Sequence, residues 1–282
     1  MKIVMKRTIL LLSIFFILAG CTSVTEKGNR MINTRSGSEH VDGITYTSKG
    51  QNFRQRFIIL HYTVSDRERS IDLLTNRDVS SHYLITDREN DPIYYLVDES
   101  KRAWHAGVSS WGNFSNLNDN SIGIEIVNKG FTLKDGKMEF YHYPSWQIHK
   151  TAILVQDLIK RYDVEPQNIL GHSDIAPQRK QDPGPLFPWK ELHHDYGIGM
   201  WYEEYDKQKY KEAFDDKRVT PEEVQKELKK FGYSIVISRE YDEQTKNVIL
   251  AFQFHFRQDK YDGIMDTETF AILKALNEKY KK

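Results

Sequence analysis

Three side chains far apart in the chain, His61, His172 and Asp182, are of the types that hold a catalytic zinc ion. Such an ion takes three nitrogen or oxygen ligands from the protein and keeps a fourth position open. His61 closes the apolar run Arg56-Phe57-Ile58-Ile59-Leu60-His61, and His172 follows Gly171 after Asn168-Ile169-Leu170. Asp182 lies in Lys180-Gln181-Asp182-Pro183-Gly184-Pro185, a rigid turn that would hold a carboxylate in place. The chain has no His-Glu-x-x-His helix, so a metal site would have to be assembled from distant segments. Most of the 10 histidines of such a chain sit at the surface or in the core without a metal, and spacing alone leaves both readings open. His193-His194-Asp195 is another run of ligand types. It follows Pro188-Trp189-Lys190-Glu191-Leu192, which reads as an exposed helix, so a solvated role fits it better.

The elements that must position these residues alternate between strand and helix signals. Arg56–His61 suits a buried strand. Ser81–Thr86 and Pro92–Asp98 flank the turn-prone Asp87–Asp91 and read as a hairpin, with room for one helix in the polar stretch before it. In Ser121–Val127 the residues Ile122, Ile124 and Ile126 take one face of a strand, and Gly123 and Glu125 take the other. Ile148, Ala152, Val155, Ile159 and Tyr162 recur at helical spacing after Pro144. Asn168–Leu170 is a further short strand. The expected fold class is α/β: a mixed central sheet flanked by helices, over residues 51–198.

Residues 199–218 read as a linker, and 219–282 as a small domain of three helices. Thr220-Pro221-Glu222-Glu223 is a helix start, with a capping hydroxyl, proline at the first position and acids at the positive end of the dipole. Asp242-x-x-Thr245 and Asp266-x-x-Thr269 start the next two helices with an Asp cap.

The N-terminus reads as a processing signal. Lys2, Lys6 and Arg7 precede an apolar run from Ile9 to Ala19, too short for the ~20 residues that a spanning helix needs. Leu18-Ala19-Gly20-Cys21 resembles a bacterial lipobox, with residues 1–20 removed and Cys21 lipidated. Several acyl chains on one residue anchor a protein stably. Residues 21–50, polar and small, read as a tether from lipid to domain. Thr22 lacks the Asp associated with inner-membrane retention, so an outer-membrane, periplasm-facing location is expected in a Gram-negative source.

Composition sets the outer bounds. The chain has 282 residues, 39% hydrophobic and 12% aromatic, enough for real cores and too much for whole-chain disorder. Forty Lys+Arg balance 40 Asp+Glu, which argues against a nucleic-acid partner held by bulk charge. Loss of residues 1–20 removes three cations and no acid, leaving a net charge of −3. The single cysteine, Cys21, excludes a disulfide framework and any thiolate zinc site.

Several blocks stand in order: Phe57-Ile58-Ile59-Leu60-His61-Tyr62-Thr63, Ser81-His82-Tyr83-Leu84-Ile85, Ala103-Trp104-His105-Ala106-Gly107, Ser121–Asn128, and Gly171–Pro177 through Lys180–Gly184. Over about residues 40–195 the chain resembles the type-2 N-acetylmuramoyl-L-alanine amidase family, related to peptidoglycan recognition proteins. The resemblance implies zinc ligands at His61, His172 and Asp182, one ion per chain. It also implies Glu125 as general base toward a water and Lys180 as the cation that stabilises an oxyanion. The partners implied are peptidoglycan and its muropeptides, 1,6-anhydro forms included. Tyr62, Trp104, His105 and Asn128 are candidate substrate-side residues, while His82 is as well suited to packing. Val224-Gln225-x-x-Leu228, Gly232-Tyr233 and the two Asp-x-x-Thr starts resemble the peptidoglycan-binding domain type 1. That domain's usual glycine before the first Asp-x-x-Thr is absent, with Ser238-Arg239-Glu240-Tyr241 in its place. A non-catalytic peptidoglycan sensor shares this kind of fold but characteristically lacks a metal ligand. A purely structural lipoprotein gives no reason for the ordered blocks.

Overall fold

A computed structural model describes residues 28–214 and 219–281. The expected processing signal and Cys21 lie outside them. Residues 28–52 form one unit, whose regular structure is a hairpin of β1 (Arg30–Thr34) and β2 (Gly37–Val41), with nearly every residue exposed. The segment expected as a plain tether thus carries antiparallel pairing, although its side chains offer almost nothing to bury.

The second unit, residues 53–282, is built on a sheet of β3 (Phe57–Tyr62), β4 (Tyr83–Ile85), β5 (Tyr94–Tyr95), β8 (Ser121–Ile126) and β11 (Ile169–Gly171). Its order is β11-β3-β8-β4-β5, parallel except for the β4–β5 edge. The expected hairpin is therefore present, with shorter strands. A central parallel strand is covered on both faces, which explains the wholly buried Phe57–Tyr62. The 18-residue helix α2 (Ser145–Tyr162) lays Ile148, Ala152, Val155 and Leu158 into this core. Helix α1 (Arg67–Asn76) fills the polar stretch after β3 and is capped by Asp66, whose carboxylate accepts the Arg69 N–H.

Two further hairpins stand outside the sheet: β6 (Ser110–Trp111) with β7 (Phe114–Ser115), and β9 (Phe131–Lys134) with β10 (Lys137–Phe140). The turn between β9 and β10 is Asp135-Gly136, both at positive φ (50° and 74°), a strong hairpin dipeptide.

The C-terminal half departs from the expected layout. Helix α4 (Trp189–Tyr196) follows the short α3 (His172–Ile175), and it is not a free surface helix, because Trp189 and Leu192 are buried. Inside the expected linker stands α5 (Glu204–Phe214), which packs on the last helix, Phe214 meeting Phe270 edge-on with ring centres 4.9 Å apart. The three expected helices are α6 (Pro221–Phe231), α7 (Glu243–Phe256) and α8 (Thr267–Tyr280), capped by Thr220, Asp242 and Asp266 as their sequences imply. Their apolar faces join the same continuous core as the sheet. Trp111 packs edge-on against Phe231 and Tyr233, and the Gly112 N–H donates to the Gly232 carbonyl at 2.7 Å. Among the described residues no helix is long and apolar enough to cross a membrane.

Candidate active site

Ligands of open α/β sheets gather at the carboxyl ends of the strands, and here three adjacent parallel strands each deliver one group to that end. His61 is the penultimate residue of β3, Glu125 the penultimate residue of β8, and His172 follows β11 directly. The β3–β8 register pairs His61 with Glu125 across the ladder, so the two side chains leave the same face. Asp182 enters from the loop after α3, which is tied back by a Ser173 N–H bond to the Asp182 carbonyl (2.8 Å).

His61 Nδ1, His172 Nδ1 and Asp182 Oδ2 form a triangle with each side 3.0 Å. All three residues are buried, and among the described residues they are the one group of three or more such side chains placed to share a metal ion. The outer nitrogens show what the inner ones carry. Ser121 donates its hydroxyl to the Leu117 carbonyl (2.5 Å), so its oxygen accepts from His105 Nε2 (3.1 Å). His105 Nδ1 then accepts from His61 Nε2–H at 2.9 Å. His172 Nε2–H donates to the Ala106 carbonyl at 3.1 Å. A neutral ring that donates through Nε2 carries its bare lone pair on Nδ1. Three acceptors aimed at one point repel one another unless a cation lies among them. The set is tighter than the roughly 3.3 Å ligand separation of tetrahedral zinc with bonds of about 2.0 Å, so a small expansion fits that ion. Burial, with His172 alongside, holds the His61 imidazole down to about 4, so the ring stays neutral at neutral pH. Burial alone would raise the Asp182 carboxyl, but the two histidines outweigh it and keep it well below the usual range.

One segment orients both histidines. The Asn118 side-chain oxygen accepts the N–H groups of His105 (3.0 Å) and Ala106 (2.7 Å). Arg179 donates to the same Ala106 carbonyl that His172 uses, at 2.5 Å. Residue 123 has to be glycine, since a Cβ there would come within 2.4 Å of the His105 ring. Orienting partners of this kind fix tautomer and ring direction in metal sites. None of Ser121, Asn118, Gly123 or Arg179 stands out by type or spacing in the sequence, because each acts through a contact far away in the chain.

The triangle opens into a cavity of about 210 Å³ lined also by Tyr62, Trp104, His105, Glu125 and Lys180, with Val64, Leu73, Leu74 and Val79 as its apolar wall. Glu125 Oε2 has no hydrogen-bond partner among the described residues. Burial, reinforced by Asp182, lifts the Glu125 carboxyl to about 8, and Lys180 pulls the other way. Trp104 is exposed at the rim, with the Arg102 guanidinium stacked 4.2 Å from its ring centre. His105, expected on the substrate side, lines the cavity but spends both ring nitrogens on His61 and Ser121. Asn128 does not line the cavity: its amide serves the carbonyls of Tyr141 and His142 and the N–H of Gly130, bracing the β9–β10 loop. His82 is a packed histidine between the Gly123 N–H and the Lys101 carbonyl. His193 bonds the Gly199 carbonyl and takes no part in the site.

Known proteins carry the same arrangement of domains. Residues 51–185 match the N-acetylmuramoyl-L-alanine amidase family, and residues 219–273 match a peptidoglycan binding domain. The amidase AmiD of Escherichia coli is 38% identical over 98% of this chain and 99% of its own. Its complex with the substrate anhydro-N-acetylmuramic acid-L-Ala-D-gamma-Glu-L-Lys superposes with a TM-score of 0.80, at 37% identity over 91% of this chain and 99% of that one. AmpDh3 of Pseudomonas aeruginosa, in complex with anhydromuramic pentapeptide, superposes at 0.81, with 42% identity over 86% of this chain and 99% of that one. With the likeness running through both segments and nearly end to end, the chain belongs to the N-acetylmuramoyl-L-alanine amidase family.

Proposed function

We propose that this amidase is zinc-dependent and hydrolyses the amide between N-acetylmuramic acid, 1,6-anhydro forms included, and the L-alanine of stem peptides, in cell-wall turnover or recycling. The observation that carries the reading is the convergence of two imidazole Nδ1 atoms and one carboxylate oxygen beside Glu125, whose buried Oε2 has no hydrogen-bond partner among the described residues. The anhydromuramyl peptides bound by AmiD and AmpDh3 support the choice of substrate.

His61, His172 and Asp182 would hold the ion, which when bound brings the pKa of a coordinated water to about 7 and polarises a carbonyl oxygen. Glu125 accepts the proton of the attacking water and returns it to the alanine nitrogen as the carbon–nitrogen bond breaks, yielding a lactyl carboxylate and a free amine. An amide carbonyl is a poor electrophile, and Lys180 sets a positive charge against the oxygen that becomes anionic. The apolar wall of Val64, Leu73, Leu74 and Val79 suits the lactyl and alanyl methyl groups. Mass spectrometry of an anhydromuropeptide digest tests the reading. The expected products are the intact stem peptide and the peptide-free sugar, abolished by a chelator and restored by zinc. A cut within the peptide or at a glycosidic bond, or full activity in the chelator, overturns it.

The same reading places the enzyme on a lipid anchor at Cys21, facing the periplasm from the outer membrane. The lipobox residues Leu18-Ala19-Gly20-Cys21 support this. A Cys21→Ala variant is expected to lose incorporation of labelled palmitate and to leave the membrane fraction. Unchanged labelling would remove the anchor from the scheme.

A further inference from the structure

The helices at the C-terminus and the amidase segment share a core, and near the metal site they share one carboxylate. Asp174, only 1% exposed, lies two residues beyond His172. Its Oδ1 accepts the Tyr233 hydroxyl at 2.8 Å, and its Oδ2 accepts both the Gly171 N–H and His255 Nδ1–H at 2.8 Å. A carboxylate this deep is costly unless its lone pairs are taken, and only the Gly171 donor is local. Tyr233 comes from just beyond α6 and His255 from α7, each 1% exposed. The His255 ring is itself held, stacked on Trp189 at 3.8 Å and on Phe256 at 3.9 Å.

What Asp174 secures is the corner where two metal-ligand segments meet. Gly171 immediately precedes His172, and it faces Pro183, the neighbour of Asp182, so closely that a Cβ would come within 2.7 Å of the Pro183 ring. The Ser173 N–H to Asp182 carbonyl bond (2.8 Å) joins the two segments again one step further on. A carboxylate fixed at this corner fixes the spacing of His172 and Asp182. One left half-bonded in the core would turn toward other donors and take the Gly171 N–H bond with it.

We propose that the C-terminal helical segment is a working half of the metal centre: through Tyr233 and His255 it clamps Asp174 and so sets the geometry in which His172 and Asp182 hold the ion. The inference rests on the zinc reading above. It gives the helical segment a task inside the amidase, separate from any hold on peptidoglycan. Tyr233, His255 and Asp174 are positioning residues, acting through the backbone of the ligands.

The test uses the full chain in three forms. Tyr233→Phe removes a single hydroxyl, His255→Phe removes the donor but keeps a ring against Trp189, and His255→Asn keeps a donor near the Nδ1 position but loses the ring. Zinc affinity is read by competition with a chromogenic chelator, and hydrogen exchange of residues 169–183 is read in zinc-free protein. The expected result is a loss of zinc affinity of about tenfold in each Phe variant, the lower end of what orienting partners contribute. Exchange is expected to speed up across residues 171–182 while β3 and β8 stay protected, and His255→Asn is expected to recover part of both effects. Unchanged affinity and exchange in both Phe variants would overturn the proposal. So would affinity that follows ring packing, with His255→Phe holding zinc better than His255→Asn. Wild-type protein that took up no zinc would strike the metal reading alone, since the exchange measurement still decides whether the clamp acts on residues 171–182.

Discussion

Asp182→Ala protein is expected to purify with almost no zinc and to release stem peptide at least about 1000-fold more slowly than wild type. The size follows from what the side chain does. Its Oδ2 is 3.0 Å from both histidine nitrogens and supplies the only negative charge among the three. Without it, two neutral imidazoles face a dication with no charge compensation and one fewer ligand. Loss of electrophilic assistance worth several kcal/mol, taken as roughly 4 kcal/mol, corresponds to ~1000-fold in rate. The protein is expected to remain folded, since Leu60, Ile59, Leu170 and Ile124 near the site are untouched and belong to the continuous core. Metal content by atomic absorption and rate by product chromatography check the two halves separately. Wild-type zinc content with wild-type rate would remove Asp182 from the site.

Glu125→Gln is expected to separate metal binding from turnover. Glu125 is not part of the ligand triangle, so zinc affinity should stay near the wild-type value. General-base assistance is worth ~100- to 10,000-fold, and kcat should fall within that range with little change in KM. Burial lifts the Glu125 carboxyl to about 8 in the metal-free protein, and this has a stability consequence with a definite sign. The unfolded chain loses the Glu125 proton near an ordinary glutamate value, while the folded chain keeps it until about 8. The folded state therefore binds more protons between those values, and stability falls as pH rises through that window. Glutamine carries no such burden, so the metal-free variant should melt higher than the metal-free wild type at pH 8 and by a smaller margin at pH 5. Lys180 pulls the Glu125 carboxyl down, so Lys180→Met should move the acid limb of the pH–rate profile to higher pH in addition to lowering the rate. A Gln variant with full activity would assign the proton transfer to another group.

The parts of the site legible in the sequence are those written by strand ends. His61 closes an apolar run, His172 follows a short one, and the isoleucines of Ser121–Ile126 leave Glu125 on the opposite face; the sheet places all of them at the carboxyl ends of its strands. The helix starts at Thr220, Asp242 and Asp266 were readable for a similar reason, since a cap is chemistry within four residues. What escaped is non-local. Asn128 lies next to Val127 like a cavity residue, yet its amide is taken by carbonyls 13 and 14 residues away. Trp189 and Leu192 look like an ordinary amphipathic pair on a surface helix until α7 arrives to cover them. Helix α5 has too few apolar residues to announce itself, and its order comes from α8 through Phe270 and the Lys207–Glu268 and Lys209–Glu278 pairs. The β9–β10 hairpin, by contrast, is local, marked by Asp135-Gly136 between alternating residues.

The ladder between β3 and β8 sets Ile58 against Ile122 and Leu60 against Ile124 on the same register that sets His61 against Glu125. A slip of one residue would turn every one of these side chains to the opposite face of the sheet. It would thrust Glu125 into hydrocarbon and drive isoleucine into the cavity at one stroke. A molecule that paired wrongly would lose its core together with its site. The oily face acts as proofreader for the catalytic one, and every properly packed copy of the enzyme is also a properly aligned one.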